Sequence, residues 1–369
     1  MKVLHYINNL GSGGAEKLLS DILPALKDRG LVVEVMLANS AANVDKYSSI
    51  LKRSGIMVIS QDLSFYNPLQ IWNLIKYINS NNFDIVHAHL FPSQYWLAFA
   101  SCFLKSKIKL VKTEHSVFNE RKNYKLLRPL EKFVYSRYDR IIAITENVKA
   151  NLENWIGRTD IVTVANGVNL SQIEVEQQIP DEKEYQFLED SNFNILMVGR
   201  FDGWQKDQLT LVKALNFLSK KCCVYFAGEG HFRVKVEKYC LEHDLLDQVV
   251  FLGLRQDIYR LMYKVDLNVL STNHEGLSGV VLESLASHRP FLGSDVVGVQ
   301  EIVPDSRFLF PAGNAQKLAE KIEEIAGNEE LRQNMAGTAL KFVQGFDIQY
   351  MVDSYVEVYH SLPVNNSEQ

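Results

Sequence analysis

Met1-Lys-Val-Leu-His-Tyr-Ile-Asn-Asn-Leu-Gly-Ser-Gly-Gly-Ala-Glu16 opens the chain with an apolar run, a glycine-rich turn and the start of a helix-period segment. A short apolar run that ends in glycines and feeds a helix is how a strand enters a crossover to a parallel neighbour. The same alternation continues outward from it. Strand-like runs recur at 32–37, 57–60, 85–88, 108–112, 140–145 and 161–164, with the first at 3–7. A polar, acidic stretch from 174 to 192, carrying Pro180, then interrupts the pattern. A second series follows at 194–198, 223–226, 249–252, 267–270, 290–293 and 308–310, closed by helix-period segments at 315–325, 329–343 and 348–359. Two such series predict an α/β protein of two doubly wound parallel-sheet domains facing each other across a cleft. Ligands in such sheets bind beyond the carboxyl ends of the strands.

The boundaries follow from the same reading. We expect a Rossmann-like domain over 1–180, a linker over 181–192, a second Rossmann-like domain over 193–345, and a segment over 346–369 holding one further helix and then, from 365, a tail. A length of 369 residues with 47% hydrophobic content suits a soluble chain of this size. No run of 18 apolar residues occurs, and the first strand is interrupted too early by Asn8-Asn9 to read as a signal peptide. Cys102, Cys222, Cys223 and Cys240 form no CxxC pair, which favours reduced thiols in the cytoplasm. Charge is uneven: residues 1–180 hold 21 Lys/Arg against 16 Asp/Glu, and 181–369 hold 18 against 28. Much of the positive excess lies in 121–140, through Arg121, Lys122, Lys125, Arg128, Lys132, Arg137 and Arg140. Leu126, Leu127, Leu130, Phe133 and Val134 interleave at helical spacing, so a core-packed helix with a solvated basic face is expected. Contact with an anionic membrane is the alternative.

Several segments carry chemistry. Glu275-Gly-Leu-Ser-Gly-Val-Val-Leu-Glu283 reads as a loop carboxylate followed by a helix with Glu283 one turn inside it. Free N–H groups at Leu277, Ser278, Gly279 and Val280 would suit a phosphate, and flanking carboxylates would accept from sugar hydroxyls. Val198-Gly-Arg200-Phe-Asp-Gly-Trp-Gln-Lys206 ends a strand, and Arg200 and Lys206 can converge on one anion. Gly11-Ser-Gly-Gly-Ala-Glu16 sits where a phosphate-approaching turn would, but the dinucleotide fingerprint fails because Glu16 stands at its third glycine. For that turn a tight bend needing positive φ explains the glycines equally well. Phe251-Leu-Gly-Leu-Arg255 caps another strand. His87-Ala-His89 and Thr113-Glu-His-Ser116 fall at strand ends. His87 and His89 share a face and could give two metal ligands, yet spacing suggests no third and no D-x-D occurs, so no metal is expected. For His87 a satisfied histidine near the core is the better reading.

The Glu275–Glu283 block, with Asn273-His274 before it and Ser284-Leu-Ala286 after, resembles the E-x7-E signature of retaining nucleotide-sugar glycosyltransferases. The resemblance is in particular to glycosyltransferase family 4, and matching blocks run from residue 11 to 301. It implies the GT-B fold, with the nucleotide sugar mainly on the second domain, the acceptor on the first, and the last helix crossing back to the first. Arg200 and Lys206 would hold the diphosphate, Glu275 the sugar hydroxyls and Glu283 the ribose. Leu252 and Arg255 would line the nucleoside. Gly13 and Gly14 would let backbone approach the pyrophosphate, Glu16 and His89 would lie on the acceptor side, and His115 would contact the transferred sugar. The implied enzyme is retaining and metal-independent and uses no cofactor. A UDP-sugar is the favoured donor, and a glycan or lipid-linked acceptor in bacterial surface-polysaccharide assembly is implied, at the inner face of the cytoplasmic membrane and without nucleic acid. Lys206 and Glu275 would stand on solvent-facing loops. The alternatives are a nucleotide-sugar epimerase of the same architecture and a non-catalytic nucleotide-sugar-binding protein.

Overall fold

The computed structural model describes residues 1–363 apart from 105–107, 117–120, 122–123, 181–184, 189–191 and 220. The expected linker falls largely, and the expected tail wholly, outside the described residues. The chain divides into two compact units, Met1–Gly167 with Ile348–Gln369, and Val168–Asp347.

The first unit alternates β1 (Lys2–Ile7), α1 (Gly14–Asp28), β2 (Val32–Leu37), α2 (Asp45–Arg53), β3 (Met57–Ser60), α3 (Leu69–Asn81), β4 (Ile85–His89), α4 (Ser93–Ala100), β5 (Lys109–Glu114), α5 (Arg128–Ser136), β6 (Arg140–Ala143), α6 (Glu146–Ile156) and β7 (Ile161–Thr163). Its sheet runs β3-β2-β1-β4-β5-β6-β7, parallel throughout. The order reverses between β1 and β4, so their carboxyl ends flank a crevice, and Gly13 and His89 follow from those ends. β1 and β4 are buried nearly end to end, as a sheet covered on both faces requires.

The second unit repeats the logic with α7 (Leu170–Gln177), β8 (Phe193–Val198), α8 (Gln208–Leu215), β9 (Cys222–Ala227), α9 (Arg233–Glu242), β10 (Val249–Gly253), α10 (Ile258–Lys264), β11 (Leu267–Leu270), α11 (Gly279–Leu285), β12 (Phe291–Ser294), β13 (Leu309–Phe310), α12 (Ala315–Gly327) and α13 (Glu329–Val343). Its parallel sheet runs β10-β9-β8-β11-β12-β13, reversing between β8 and β11. The last helix, α14 (Ile348–His360), belongs to the first unit. It lies against α1 and buries Ile348, Met351, Val352, Tyr355 and Tyr359, a stripe at helical spacing that joins the core over β1 and β4.

Two expectations need correction. The first domain was expected to run to 180, but α7 packs on α10 with Ile173 buried, and Gln177 donates to the Ala286 carbonyl at 3.5 Å. Residues from 168 therefore belong to the second unit. The basic segment is not core-packed along its apolar positions either. Val134 is buried, but Leu126 is 95% exposed, and Leu127, Leu130 and Phe133 are exposed too. α5 turns Glu131, Val134 and Tyr135 inward instead, and Glu131 pairs with Arg121 at 3.0 Å.

Candidate functional site

The strand reversal in the second unit gathers a charged cluster. Lys206, eight residues past β8, makes an isolated bridge to Thr272 just past β11, which brings the two loops together. The Asp202 carboxylate holds the turn before Lys206, Oδ1 accepting from the N–H groups of Trp204, Gln205 and Lys206 at 3.0–3.2 Å. Lys206 Nζ meets Glu275 Oε1 at 2.5 Å, Thr272 Oγ1 donates to the same oxygen at 2.8 Å, and Gln205 Nε2 donates to Oε2 at 3.2 Å. Glu275 thus has both oxygens engaged and is buried, with the Lys206 side chain 12% exposed. These two charges form a largely desolvated pair, which corrects the expectation of solvent-facing loops. Gln205 and Thr272, which complete the cage, were missed by the sequence reading. Nothing in their types distinguishes them from ordinary loop residues.

Around this pair the other expected residues divide. Arg200 is exposed, and its guanidinium has no hydrogen-bond or ion-pair partner among the described residues. Glu283 is buried on α11, within 3.8 Å of the position a Cβ would take on Gly279. Ser278 precedes that helix without a side-chain cap, and the N–H groups of Gly279 and Val280 meet no acceptor among the described residues. Leu277 and Ser278 are buried beside them. Gly298, at φ 81°, lets its loop press on this segment: a Cβ there would lie 2.5 Å from the Gly276 carbonyl oxygen, so only glycine fits. Leu252 sits near the end of β10, whose Gly253 carbonyl accepts from Gly228 N–H at 2.8 Å. Arg255 is committed elsewhere, forked onto Asp257 at 2.8 and 2.6 Å, with Tyr185 donating to the same carboxylate. Trp204 packs against His274 with the rings tilted by 32° and their centroids 4.6 Å apart, and is half exposed.

The reversal in the first unit gathers neutral groups. His5 on β1 stands in register with His87 on β4, and His89 with Thr113 on β5. All four therefore share the face that α14 covers. His5 Nδ1 lies 3.0 Å from His89 Nε2, and His89 Nδ1 lies 3.3 Å from His115 Nε2. His87 Nδ1 lies 2.7 Å from the Tyr359 hydroxyl and His87 Nε2 2.8 Å from Thr113 Oγ1. Burial pushes His5 down to about 3 and His87 and His89 well below their usual range. His115 falls to about 4, lowered by burial, drawn up by Glu114 and pushed down by Lys112. Burial would raise the Glu114 carboxyl, but the Lys112 ammonium at 2.8 Å and the Tyr135 hydroxyl outweigh it and hold it low. His5, His87 and His89 bring ligand atoms within 4.8 Å of one another, the third histidine that spacing did not suggest. The signal was available, because β1 and β4 are neighbours in the usual doubly wound order.

At the glycine turn the structure removes one of the two readings offered, the tight bend needing positive φ. Gly13 is extended at φ −81°, and neither Gly11 nor Gly14 has a positive φ. The turn does not need glycine for its backbone conformation. A Cβ on Gly13 would meet the carboxylate of the flexible Glu16 side chain, and nothing lies within 4 Å of one placed on Gly14.

Comparison with known proteins matches both units. Residues 12–172 fit the family model described as Glycosyltransferase Family 4, and 192–328 the one described as Glycosyl transferases group 1. EpsD of Bacillus subtilis (strain 168), a glycosyltransferase by name, is 29% identical over 84% of each chain. The N-acetylgalactosamine-N,N'-diacetylbacillosaminyl-diphospho-undecaprenol 4-alpha-N-acetylgalactosaminyltransferase of Campylobacter jejuni is 25% identical over 93% of this chain and 94% of that one. Among solved structures, Anabaena Alr3699/HepE in complex with UDP and glucose superposes with a TM-score of 0.85 at 21% identity, covering 98% of this chain and 100% of its own. The two parallel-sheet units, each matched by a glycosyltransferase family model, identify the chain as a family 4 glycosyltransferase of the GT-B fold.

Proposed function

We propose that this glycosyltransferase is retaining and metal-independent and moves a sugar from a nucleotide sugar, by preference a UDP-sugar, to a glycan or lipid-linked acceptor in bacterial surface-polysaccharide assembly. The observation that carries the donor half is the cluster at the second reversal. Arg200 and the N–H groups of Gly279 and Val280, without partners among the described residues, and the Lys206 ammonium offer positive charge and donors suited to a diphosphate. HepE, known with UDP and with UDP-glucose, supports the choice of donor. The Campylobacter relative, named for an undecaprenol-diphosphate acceptor, supports a lipid-linked one.

Glu275 is a poor candidate for a nucleophile, since a lysine, a threonine and a glutamine already engage its oxygens. Retention is then best served by displacement on one face. The acceptor oxygen bonds to the anomeric carbon as the bond to the β-phosphate breaks, and the acceptor proton passes to a β-phosphate oxygen. Arg200, Lys206 and the α11 N–H groups stabilise the charge that develops on the diphosphate. Glu275 takes sugar hydroxyls, Glu283 the ribose, Leu252 the nucleoside and Gly13 and Gly14 the close approach of backbone to phosphate. On the first unit, His115 meets the transferred sugar, and His89 and Glu16 serve the acceptor side. Arg255 contributes only if the ligand displaces Asp257 or uses its backbone.

No helix among the described residues is long and apolar enough to cross a membrane. A peripheral contact on the cytoplasmic side suits the segment where Leu126, Leu127, Leu130 and Phe133 stand exposed among Lys125, Arg128 and Lys132. Apolar residues set among lysines and arginines suit an anionic lipid surface.

A panel of UDP-, GDP- and ADP-sugars tests the whole reading. The cognate donor at 100 times its dissociation constant should stabilise the protein by about 2.7 kcal/mol, and diphosphate should be released with an acceptor present and EDTA added. A strict requirement for Mg²⁺ or Mn²⁺ would overturn the site. Release of an altered free sugar without acceptor would replace transfer by epimerisation.

A further inference from the structure

The histidines of the first unit form one continuous chain of hydrogen bonds, and the links can be followed in order. His115 Nε2 meets His89 Nδ1 at 3.3 Å, and His89 Nε2 meets His5 Nδ1 at 3.0 Å. His5 Nε2 lies 3.5 Å from the Tyr359 hydroxyl, the longest link, and that hydroxyl meets His87 Nδ1 at 2.7 Å. His87 Nε2 meets Thr113 Oγ1 at 2.8 Å, and Thr113 Oγ1 meets the Tyr355 hydroxyl at 3.0 Å. Every ring nitrogen of His5, His87 and His89 is used. Among the described residues, His115 Nδ1 is the one histidine nitrogen of the chain left without a partner.

Neutrality makes this chain directional. A neutral imidazole donates through one nitrogen and accepts through the other, so the role at one end of a ring dictates the role at its other end. Burial keeps His5, His87 and His89 neutral at pH 7, holds Tyr355 at about 12 and raises Tyr359 well above the usual phenol range. A hydroxyl donates once but accepts twice, so where Tyr359 or Thr113 accepts from both neighbours the outer run still points inward, and where each hydroxyl relays, two arrangements satisfy all the links. In one, His115 Nε2 donates to His89, His89 Nε2 to His5, His5 Nε2 to Tyr359, Tyr359 to His87 and His87 Nε2 to Thr113, which leaves His115 Nδ1 as a bare acceptor. In the other every link is reversed, from Tyr355 through Thr113 outward, and His115 Nδ1 carries a proton. A break at any link removes the constraint beyond it. The charged groups nearest the chain, Lys112 and Glu114, are paired with each other at 2.8 Å, with Tyr135 also donating to Glu114.

We propose that His89, His5 and Tyr359 are positioning residues, and that this chain, anchored on the last helix, fixes which nitrogen of His115 bears the proton and so whether it offers substrate an acceptor or a donor. The proposal rests on the reading above for His115's place in the reaction, but not for the state of its ring. It also gives α14 a part in the site: the hydroxyl of Tyr359 joins the inner half of the chain, His87 with Thr113, to the outer half that ends at His115.

The test is ¹⁵N NMR of the histidine rings in ligand-free protein at pH 7.5, on wild type, Tyr359→Phe and Thr113→Val, together with steady-state kinetics. In wild type, His5, His87, His89 and His115 should each show one protonated and one bare nitrogen. Tyr359→Phe, which removes one hydroxyl and keeps the ring, should give His115 mixed tautomers. Its kcat should fall by about tenfold with little change in donor KM, the scale of misdirecting one hydrogen bond to the transferred sugar. Thr113→Val should shift the same tautomer balance from the inner end. An unchanged His115 pattern in both variants would overturn the proposal, as would a doubly protonated His5, His87 or His89. So would one equivalent of tightly held zinc whose removal moves these signals, because the ion would occupy the nitrogens the chain needs. Full turnover by His115→Ala would sink the functional reading while leaving the NMR result standing.

Discussion

The two units reverse their strand order at equivalent places, yet they fill those places with opposite kinds of polar group. At β8/β11 the residues are ionic: Lys206 on Glu275, and Arg200 with no partner among the described residues. At β1/β4 they are neutral: four histidines, two tyrosines and a threonine, each satisfied by the next. The parallel sheet supplies only a location, a crevice where N–H groups and side chains converge. What occupies it decides whether the crevice favours charge or reads hydrogen-bond direction. A buried ion pair is costly to break because the survivor keeps its desolvation penalty. A neutral chain is costly to protonate, because burial opposes the first charge.

The contrast is most easily broken at Lys206. Lys206→Ala and Glu275→Gln should each lower turnover by roughly 10²–10³-fold, the scale of losing one charge-stabilising group. Lys206→Ala should also cost stability, up to about 3 kcal/mol, because the Glu275 carboxylate stays buried without its cation. The double change Lys206→Met with Glu275→Leu should restore the urea midpoint and leave turnover lost. Single variants as stable as wild type would show that the pair is no strut, and near-normal rates would take the residue out of the site.

Acid should find the first unit before the second. The folded-state pKa values of His5 and His115 are lowered, to about 3 and about 4, so both stay neutral while the unfolded chain begins to take up protons near pH 6.5. Stability is therefore complete above pH 6.5 and is lost as pH falls towards those folded values. For His5 the loss approaches about 1.4 kcal/mol per pH unit. Urea unfolding at several pH values should show a shallower acid limb in His5→Gln. Parallel limbs for variant and wild type would mean that His5 is not held neutral.

The smallest effect belongs to the basic segment. Arg128 is tied to the Trp155 carbonyl at 2.8 Å and Arg121 to Glu131, so Lys125 and Lys132 are the cleaner probes. Replacing both with glutamine should weaken binding to anionic liposomes by about 2 kcal/mol, at about 1 kcal/mol per basic residue, without changing donor affinity. Binding to neutral vesicles should stay weak and binding to anionic ones should fall with salt. Equal sedimentation of variant and wild type would leave the exposed leucines without a lipid partner.

Much of this was legible before any coordinates. Apolar runs at 3–7 and 85–88 had to be strands, because short β-branched runs bounded by turn residues bury both faces of a parallel sheet. Glycines after 10 and between 275 and 280 marked loops by local chemistry, and the residues of the E-x7-E block carried the family. Local sequence determines such things because propensity and periodicity act over a few residues. Partnership is different. That His5 faces His87, that Thr272 reaches Glu275, and that Tyr359 closes the histidine chain depend on register between strands far apart in sequence. A residue's type does not reveal whether its neighbour across the sheet is a lysine or a valine. Leu126 reads as core by composition and lies in solvent, in the helical turn before α5; Leu130 and Phe133 stay exposed because α5 could turn only one face inward and that face went to Glu131, Val134 and Tyr135. The sequence alone determined the strands, the turns and the family; which polar groups met, and so whether each crevice holds charge or a neutral chain, was decided only when the sheets set their register and the helices chose a face.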